Sequence, residues 1–334
     1  MRSLVLGGST FVGRRLVRDL VARGGEVTVL NRGKTRTELP AGVGRLVADR
    51  TDTSSMRDAL EDTEWDAVFD VSGFVMVAGG APIEDLLDLL DGRTGAYVFV
   101  SSIMAYAPSP LMPWTEDRPT SADATTSYGG FKAHAEEAIR ARHGRTGFLG
   151  SMARPAAIYG PDNNIHDMET AMFLRLMRGL PILVPHEGLV TGNYGHVDDL
   201  CALLIAMAEQ PERVAGEVVN ATGEAITSLG YVHALAEIVD VDPDIRLLPD
   251  DRPAEDGPLF GHLFGARHHA VLSTARAREF GLPVERGFMA GHRDTYEWFR
   301  TSSLVNAPFV MSDPVWKAGY DFEAEARVAD RLAR

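Results

Sequence analysis

Leu4-Val5-Leu6-Gly7-Gly8-Ser9-Thr10-Phe11-Val12-Gly13 decides the reading of the fold. Residues 3–6 are a short apolar run. Beyond the glycines, apolar side chains recur at 11, 12, 16, 17, 20 and 21, which is helical spacing. A strand, a glycine turn and a helix in that order suit a dinucleotide. The glycines let the backbone turn sharply and approach a pyrophosphate, and the free N–H groups of the helix start face the anion. The context gives the motif its weight, since glycines alone would fit a tight turn with no ligand. Thr10 stands where a middle glycine is usual and offers a hydroxyl to a phosphate. Gly7, Ser9, Thr10, Phe11, Val12 and Gly13 are therefore candidate cofactor contacts.

Outward from this loop the pattern repeats. Apolar runs at 26–30, 46–48, 67–71, 96–101 and 148–153 read as strands, with helices at 83–90 and 128–143. Strands that are apolar throughout and separated by helices belong to a parallel sheet covered on both faces. The expected fold is α/β: a Rossmann-type doubly wound sheet with a smaller, mostly C-terminal second domain. Helices are expected at 170–179 and 197–209, and a strand at 217–220 that returns to the sheet. The domains are then 1–160 with 196–223, and 161–195 with 224–334. Residues 257–265 read as a loop. The tail from 306, with Trp316, Tyr320 and Phe322, reads as an extra packed element or a dimer contact.

Of 334 residues, 45% are hydrophobic and 24% charged, an ordinary globular profile. The single cysteine, Cys201, excludes an internal disulfide and reads as a buried thiol. The formal charge of −14 repels phosphate backbones, so no nucleic-acid partner is expected. Neither a targeting segment nor a membrane span is visible, and a cytoplasmic location is expected. His268 and His269 are adjacent and have no acid or cysteine cluster beside them, so no metal is expected.

The second strand ends in Asn31-Arg32-Gly33-Lys34. An NAD-preferring site places an acid here for the ribose 2′-hydroxyl. Asn31 with Arg32 and Lys34 favours the 2′-phosphate of NADP(H), with NAD(H) left open. Tyr128-Gly129-Gly130-Phe131-Lys132 opens a helix, and a four-residue spacing puts the phenol and the ammonium on one face. An ammonium beside a phenol is expected to lower its pKa and make it usable as acid or base. Ser102 closes the fifth strand, where ligands of open α/β sheets bind, and Ser101 has a rival claim.

These segments resemble the extended short-chain dehydrogenase/reductases, the group of the nucleotide-sugar epimerases and dehydratases. The resemblance covers residues 1 to about 300. It rests on the glycine loop, Val100-Ser101-Ser102 with Tyr106, Thr115-Glu116, Tyr128 and Lys132, the Arg154-Pro155 to Gly160-Pro161 segment, and His196-Val197-Asp198-Asp199. It implies that Ser102, Tyr128 and Lys132 are catalytic. It implies cofactor contacts from Asp49 and Arg50 beside the adenine, from Val71, Ser72 and Gly73, from Ser101, and from Pro155 and Ile158 near the nicotinamide. Met104, Asn193, Arg252 and Arg267 are the candidate substrate contacts.

The glycine loop and the Asn31 turn look most like an atypical branch, which also includes plastid proteins described as RNA-binding. Dehydrating relatives carry an Asp-Glu pair where Ile103 and Met104 stand, so water loss and decarboxylation are disfavoured. Thr191-Gly192-Asn193-Tyr194 lacks the arginine that grips a nucleotide diphosphate in sugar-nucleotide members. What the resemblance implies is an NAD(P)-dependent epimerase or oxidoreductase acting on a secondary alcohol or ketone of a sugar, sugar nucleotide or related small metabolite. A carbonyl reductase using NADPH and a non-catalytic RNA-binding protein are the alternatives. A homodimer is expected by the same analogy.

Overall fold

The computed structural model describes residues 1–34, 38–72, 83–121, 127–249, 263–283, 286–312 and 319–332. Strand β1 (Arg2–Leu6) is followed by α1 (Phe11–Ala22), β2 (Glu26–Asn31), β3 (Gly44–Val47), α2 (Thr53–Leu60), β4 (Trp65–Asp70), α3 (Ile83–Leu90) and β5 (Thr94–Val100). Then come α4 (Tyr128–Thr146), β6 (Gly150–Pro155), β7 (Ala157–Tyr159), α5 (Glu169–Met177), β8 (Ile182–Pro185), β9 (Thr191–His196), α6 (Val197–Ala208), α7 (Pro211–Val214) and β10 (Val218–Ala221). The rest is β11 (Ala225–Thr227), α8 (Ser228–Val239), β12 (Ile245–Leu248), α9 (Ala275–Glu279), α10 (Phe288–Thr301), β13 (Val310–Ser312), β14 (Gly319–Asp321) and α11 (Phe322–Leu332).

Seven strands pair in the order β10-β6-β5-β4-β1-β2-β3, all parallel. The chain winds one way from β1 to β3 and the other way from β4 to β10. The switch therefore falls between β1 and β4, and the glycine loop leaves β1 at that point, where open α/β sheets bind ligands. Burial explains the apolar strands. Leu4, Val5 and Leu6 are at most 1% exposed, each worth about 1.5–3 kcal/mol of burial. One face of the sheet packs on α1 and α6 through Leu16, Val17, Leu200 and Leu204. The other packs on α2, α3 and α4 through Met56, Leu86 and Ile139.

The remaining elements build a second lobe. Strands β7, β9 and β11 form a small mixed sheet, and β8 pairs with β12. Its core joins α5, α8 and α10 through Phe173, Tyr231, Leu235 and Phe299. The expected boundaries shift by a few residues; the sixth strand runs over Gly150–Pro155 rather than 148–153. Helix α8 and the three- and four-residue strands of this lobe have no counterpart in the sequence reading. The tail is a packed element in its described part. Glu325 of α11 holds Arg175 of α5 in a buried bidentate pair at 2.7 and 2.8 Å, with the guanidinium over Phe322. Trp316 lies outside the described residues. Among those described, no helix is long and apolar enough to cross a membrane.

Candidate active site

The crevice starts at the glycine loop. Gly7 has φ +97°, and a Cβ there would sit 3.0 Å from that of Ser72. A Cβ on Gly13 would lie 2.3 Å from the Gly7 carbonyl oxygen, so neither position accepts a side chain. Thr10 is the N-cap of α1 and makes no side-chain capping bond, and Phe11 follows at φ 34°. The first turn thus presents backbone N–H groups and a hydroxyl with no capping duty. The Asn31 amide donates to the Ser9 hydroxyl at 2.8 Å and accepts from Gly33 N at 2.9 Å, which ties the end of β2 to the loop. Arg32 and Lys34 are exposed beyond it. A close-approach loop with two cations at its rim fits a nicotinamide dinucleotide.

Among the other expected cofactor neighbours, Arg50 turns inward. Arg50 is 7% exposed and donates to Asp70 and to the Ser72 hydroxyl; it does not point out at the rim. Asp49 accepts from the Thr51 backbone and hydroxyl, which hold its carboxyl below the usual range. Val71 and Ser72 are half-buried at the end of β4. Pro155 ends β6, and Ile158 lines a small cavity with His196, Asp199 and Thr222. Gly73 and Arg252 lie outside the described residues.

Ser101 and Ser102 divide at the end of β5. Ser101 is 1% exposed and donates its hydroxyl to Glu136, itself chelated by Arg154. Ser102 caps the short 3-10 turn Ile103–Ala105, accepting from Met104 N at 3.1 Å, and lies beside Tyr128. Tyr128 opens α4 because Ser127 caps the helix, accepting from Gly130 N at 3.0 Å. Gly129 touches the Met104 carbonyl so closely that a Cβ would lie 1.9 Å from its oxygen. This contact sets Tyr128 against Ser102.

The electrostatics correct one expectation. The Lys132 ammonium lies 5.5 Å from the Tyr128 ring centre, donates to the Val100 carbonyl at 2.5 Å and sits over the Phe99 ring. It does not lower the phenol. Burial pushes Tyr128 up to about 12, opposed only by the neighbouring Ser102 hydroxyl. Burial also brings Lys132 down to about 8, with Asp70 pulling it up. The four-residue spacing gave the shared face; it did not give the direction of the ammonium.

Of the candidate substrate contacts, Met104 is 60% exposed and Arg267 is exposed. Asn193 is buried, and its amide bridges backbone groups, donating to Gly223 O and accepting from Leu272 N. It pins the second lobe together and presents no free polar atom. The sequence reading missed Asp70, Tyr97, Glu136, Asp162 and Glu169. Asp162, at φ 66°, bonds Arg14 and Arg18 of α1, while Glu169 accepts from Gly160 N and Asn163 and fixes that turn. An acid ending the apolar run of β4 was the available signal for Asp70.

A doubly wound sheet with a glycine loop at its switch point and a serine, tyrosine and lysine at the end of β5 and the start of α4 defines an extended short-chain dehydrogenase/reductase. The chain belongs to the NAD dependent epimerase/dehydratase family, whose model matches residues 3–222. It is 29% identical over 248 residues, 70% of this chain and 62% of the relative, to the chloroplast stem-loop binding protein of 41 kDa b of Arabidopsis thaliana. It is 28% identical over 223 residues, 66% of this chain and 61% of the relative, to 2'-dehydrokanamycin reductase of Streptomyces kanamyceticus. The chain thus spans about three fifths of the length of these relatives. Among solved structures it is similar in fold to dTDP-glucose 4,6-dehydratase of Bacillus anthracis in complex with NAD. That likeness has a TM-score of 0.74 at 18% identity and covers 91% of this chain and 98% of that one.

Proposed function

We propose that this chain moves a hydride between a nicotinamide dinucleotide and a secondary alcohol or ketone of a sugar or related small metabolite, with Tyr128 handling the proton. The carrying observation is the juxtaposition of Ser102, at the end of β5, and Tyr128, the first residue of α4, with Lys132 one helical turn behind. When bound, the dinucleotide supplies or accepts the hydride. Ser102 orients the substrate oxygen, and Tyr128 gives that oxygen a proton or takes one. Ile103 and Met104 offer no acid or base for removing water, so alcohol–ketone interconversion is the chemistry left to the site.

Two outcomes of that chemistry differ in the fate of the cofactor. An epimerase recycles it in place; a reductase exchanges it at each turnover. Reduction with NADP(H) has the more specific support. Asn31 stands where an NAD site carries an acid, with Arg32 and Lys34 exposed beside it. A relative described as 2'-dehydrokanamycin reductase agrees with this reading. The test is mass spectrometry of the supernatant from denatured fresh protein, followed by NADPH titration. Stoichiometric bound dinucleotide supports the epimerase. None bound, with micromolar NADPH affinity, supports the reductase. Neither would refute hydride transfer and favour a binding protein.

A further inference from the structure

Two closed ion pairs flank Lys132. Asp70, the last residue of β4, is fully buried. Its Oδ1 accepts from Arg50 at 2.5 Å and from the Ser72 backbone and hydroxyl at 3.2 and 3.0 Å, and its Oδ2 accepts from the Tyr97 hydroxyl at 2.7 Å. Glu136, one turn after Lys132 on α4, is chelated by Arg154 and bonded by Ser101. Strand register sets Phe99 beside Asp70, and the Lys132 ammonium lies 4.6 Å from the centre of the Phe99 ring. Both carboxylates facing the ammonium are therefore taken by an arginine. Among the described residues, none is within ion-pair distance of Lys132. Arg50 offsets part of the pull of Asp70, and Arg154 occupies both oxygens of Glu136, so Lys132 is a buried ammonium with no ion pair of its own, held by a carbonyl and a ring face.

We propose that Arg50 and Asp70 are a positioning pair for the proton chemistry: Arg50 keeps Asp70 from closing on Lys132, so the ammonium stays a carrier of an exchangeable proton behind Tyr128. The inference rests on the reading of Tyr128 and Lys132 as the proton-handling residues. The groups that act on Lys132 are Arg50 after β3, Asp70 on β4, the Val100 carbonyl at β5, and Tyr128 and Glu136 on α4; behind them Tyr97 bonds Asp70, and Ser101 and Arg154 bond Glu136. Burial dominates and lowers the ammonium to about 8; Asp70 and Glu136 oppose it, and Arg50 adds to it. Removing Arg50 frees Asp70 to pair with Lys132. Removing Asp70 leaves Lys132 facing Arg50 with only Glu136 in opposition.

The chain has three lysines, Lys34, Lys132 and Lys317, so protein labelled with ¹³C at the lysine ε carbon gives three side-chain signals. Lys132→Met assigns the relevant one. The expected order of Lys132 midpoints is Asp70→Asn lowest, then the double variant Arg50→Gln/Asp70→Asn, then wild type, with Arg50→Gln highest by about one pH unit. Arg50→Lys should restore the wild-type value. The double variant removes both charges of the pair, so it leaves no uncompensated buried ion and stands in where a single variant fails to fold. Wild-type midpoints in the folded variants would overturn the proposal. If the midpoints follow this order but the pH profile of kcat/KM does not, the positioning pair stands and the assignment of Lys132 to the proton chemistry falls. A pH profile that moves in the same order supports both.

Discussion

Gly129→Ala tests how the site is assembled. The new Cβ would lie 1.9 Å from the Met104 carbonyl oxygen and 2.8 Å from its carbon. A carbon and a carbonyl oxygen approach to about 3.3 Å at their closest, so the contact must open by about 1.4 Å. The obstacle is backbone on both sides. Met104 sits in the short turn capped by Ser102, and residue 129 sits in the first turn of α4 beside Tyr128. The opening therefore separates the two hydroxyls directly. A misplacement of about 1 Å costs a catalytic constellation about 100-fold, or ~2.7 kcal/mol of transition-state stabilisation. Stability changes less: overpacking costs about 1–3 kcal/mol, and replacing a helical glycine by alanine returns about 1 kcal/mol. The expected result is kcat/KM down about 100-fold with cofactor affinity kept and the melting temperature lowered by a few degrees. Gly144→Ala is the control, since nothing lies within 4 Å of its Cβ on the same helix. It should retain full activity and gain slightly in stability. A Gly129→Ala enzyme as active as this control would refute the claim that the Met104 contact sets Tyr128 against Ser102.

Tyr128→Phe should leave dinucleotide affinity intact and cut kcat by about 10²–10⁴-fold, because it removes only the proton donor; normal turnover would remove Tyr128 from the chemistry. Asn31→Asp should shift the ratio of NADPH to NADH affinity toward NADH, since an acid repels a 2′-phosphate; an unchanged ratio in binding titrations would show that this turn does not read the 2′ position. Glu169 is fully buried, and burial raises it from 4.5 to about 7. The folded state then holds a proton that the unfolded chain has released, so stability is greatest below about 4.5 and falls as pH rises toward 7, by at most about 1.4 kcal/mol per pH unit. Glu169→Gln should flatten the pH dependence of unfolding measured in denaturant over that window; an unchanged slope would count against the buried carboxyl as its source.

What was legible in the sequence was local. The glycine loop, the apolar strands and the Tyr128–Lys132 spacing each lie within a few residues, and each follows from backbone geometry that neighbours determine. The ion pairs were not legible. Arg50 meets Asp70 across 20 residues and Tyr97 meets it across 27, and no spacing rule joins a turn after β3 to the middle of β5. The choice between Ser101 and Ser102 depended on Glu136, which reads in sequence as an ordinary helix acid. The second lobe was harder again. Strands of three and four residues, such as Ala157–Tyr159, are too short to display a period, and their partners lie far along the chain.

Strand β10 reaches the sheet late. It pairs with β6, yet everything from Ala156 to Glu217 is made between them. At ribosomal rates of ~5–20 residues per second, β6 waits roughly 3–12 seconds as an open edge, a template for mispairing with another nascent chain. Arg154 lies on that edge strand, and its partner Glu136 precedes it in the chain and has already emerged. The Arg154–Glu136 pair needs nothing made after β6, so it can tie that strand to α4 while the sheet edge is still open.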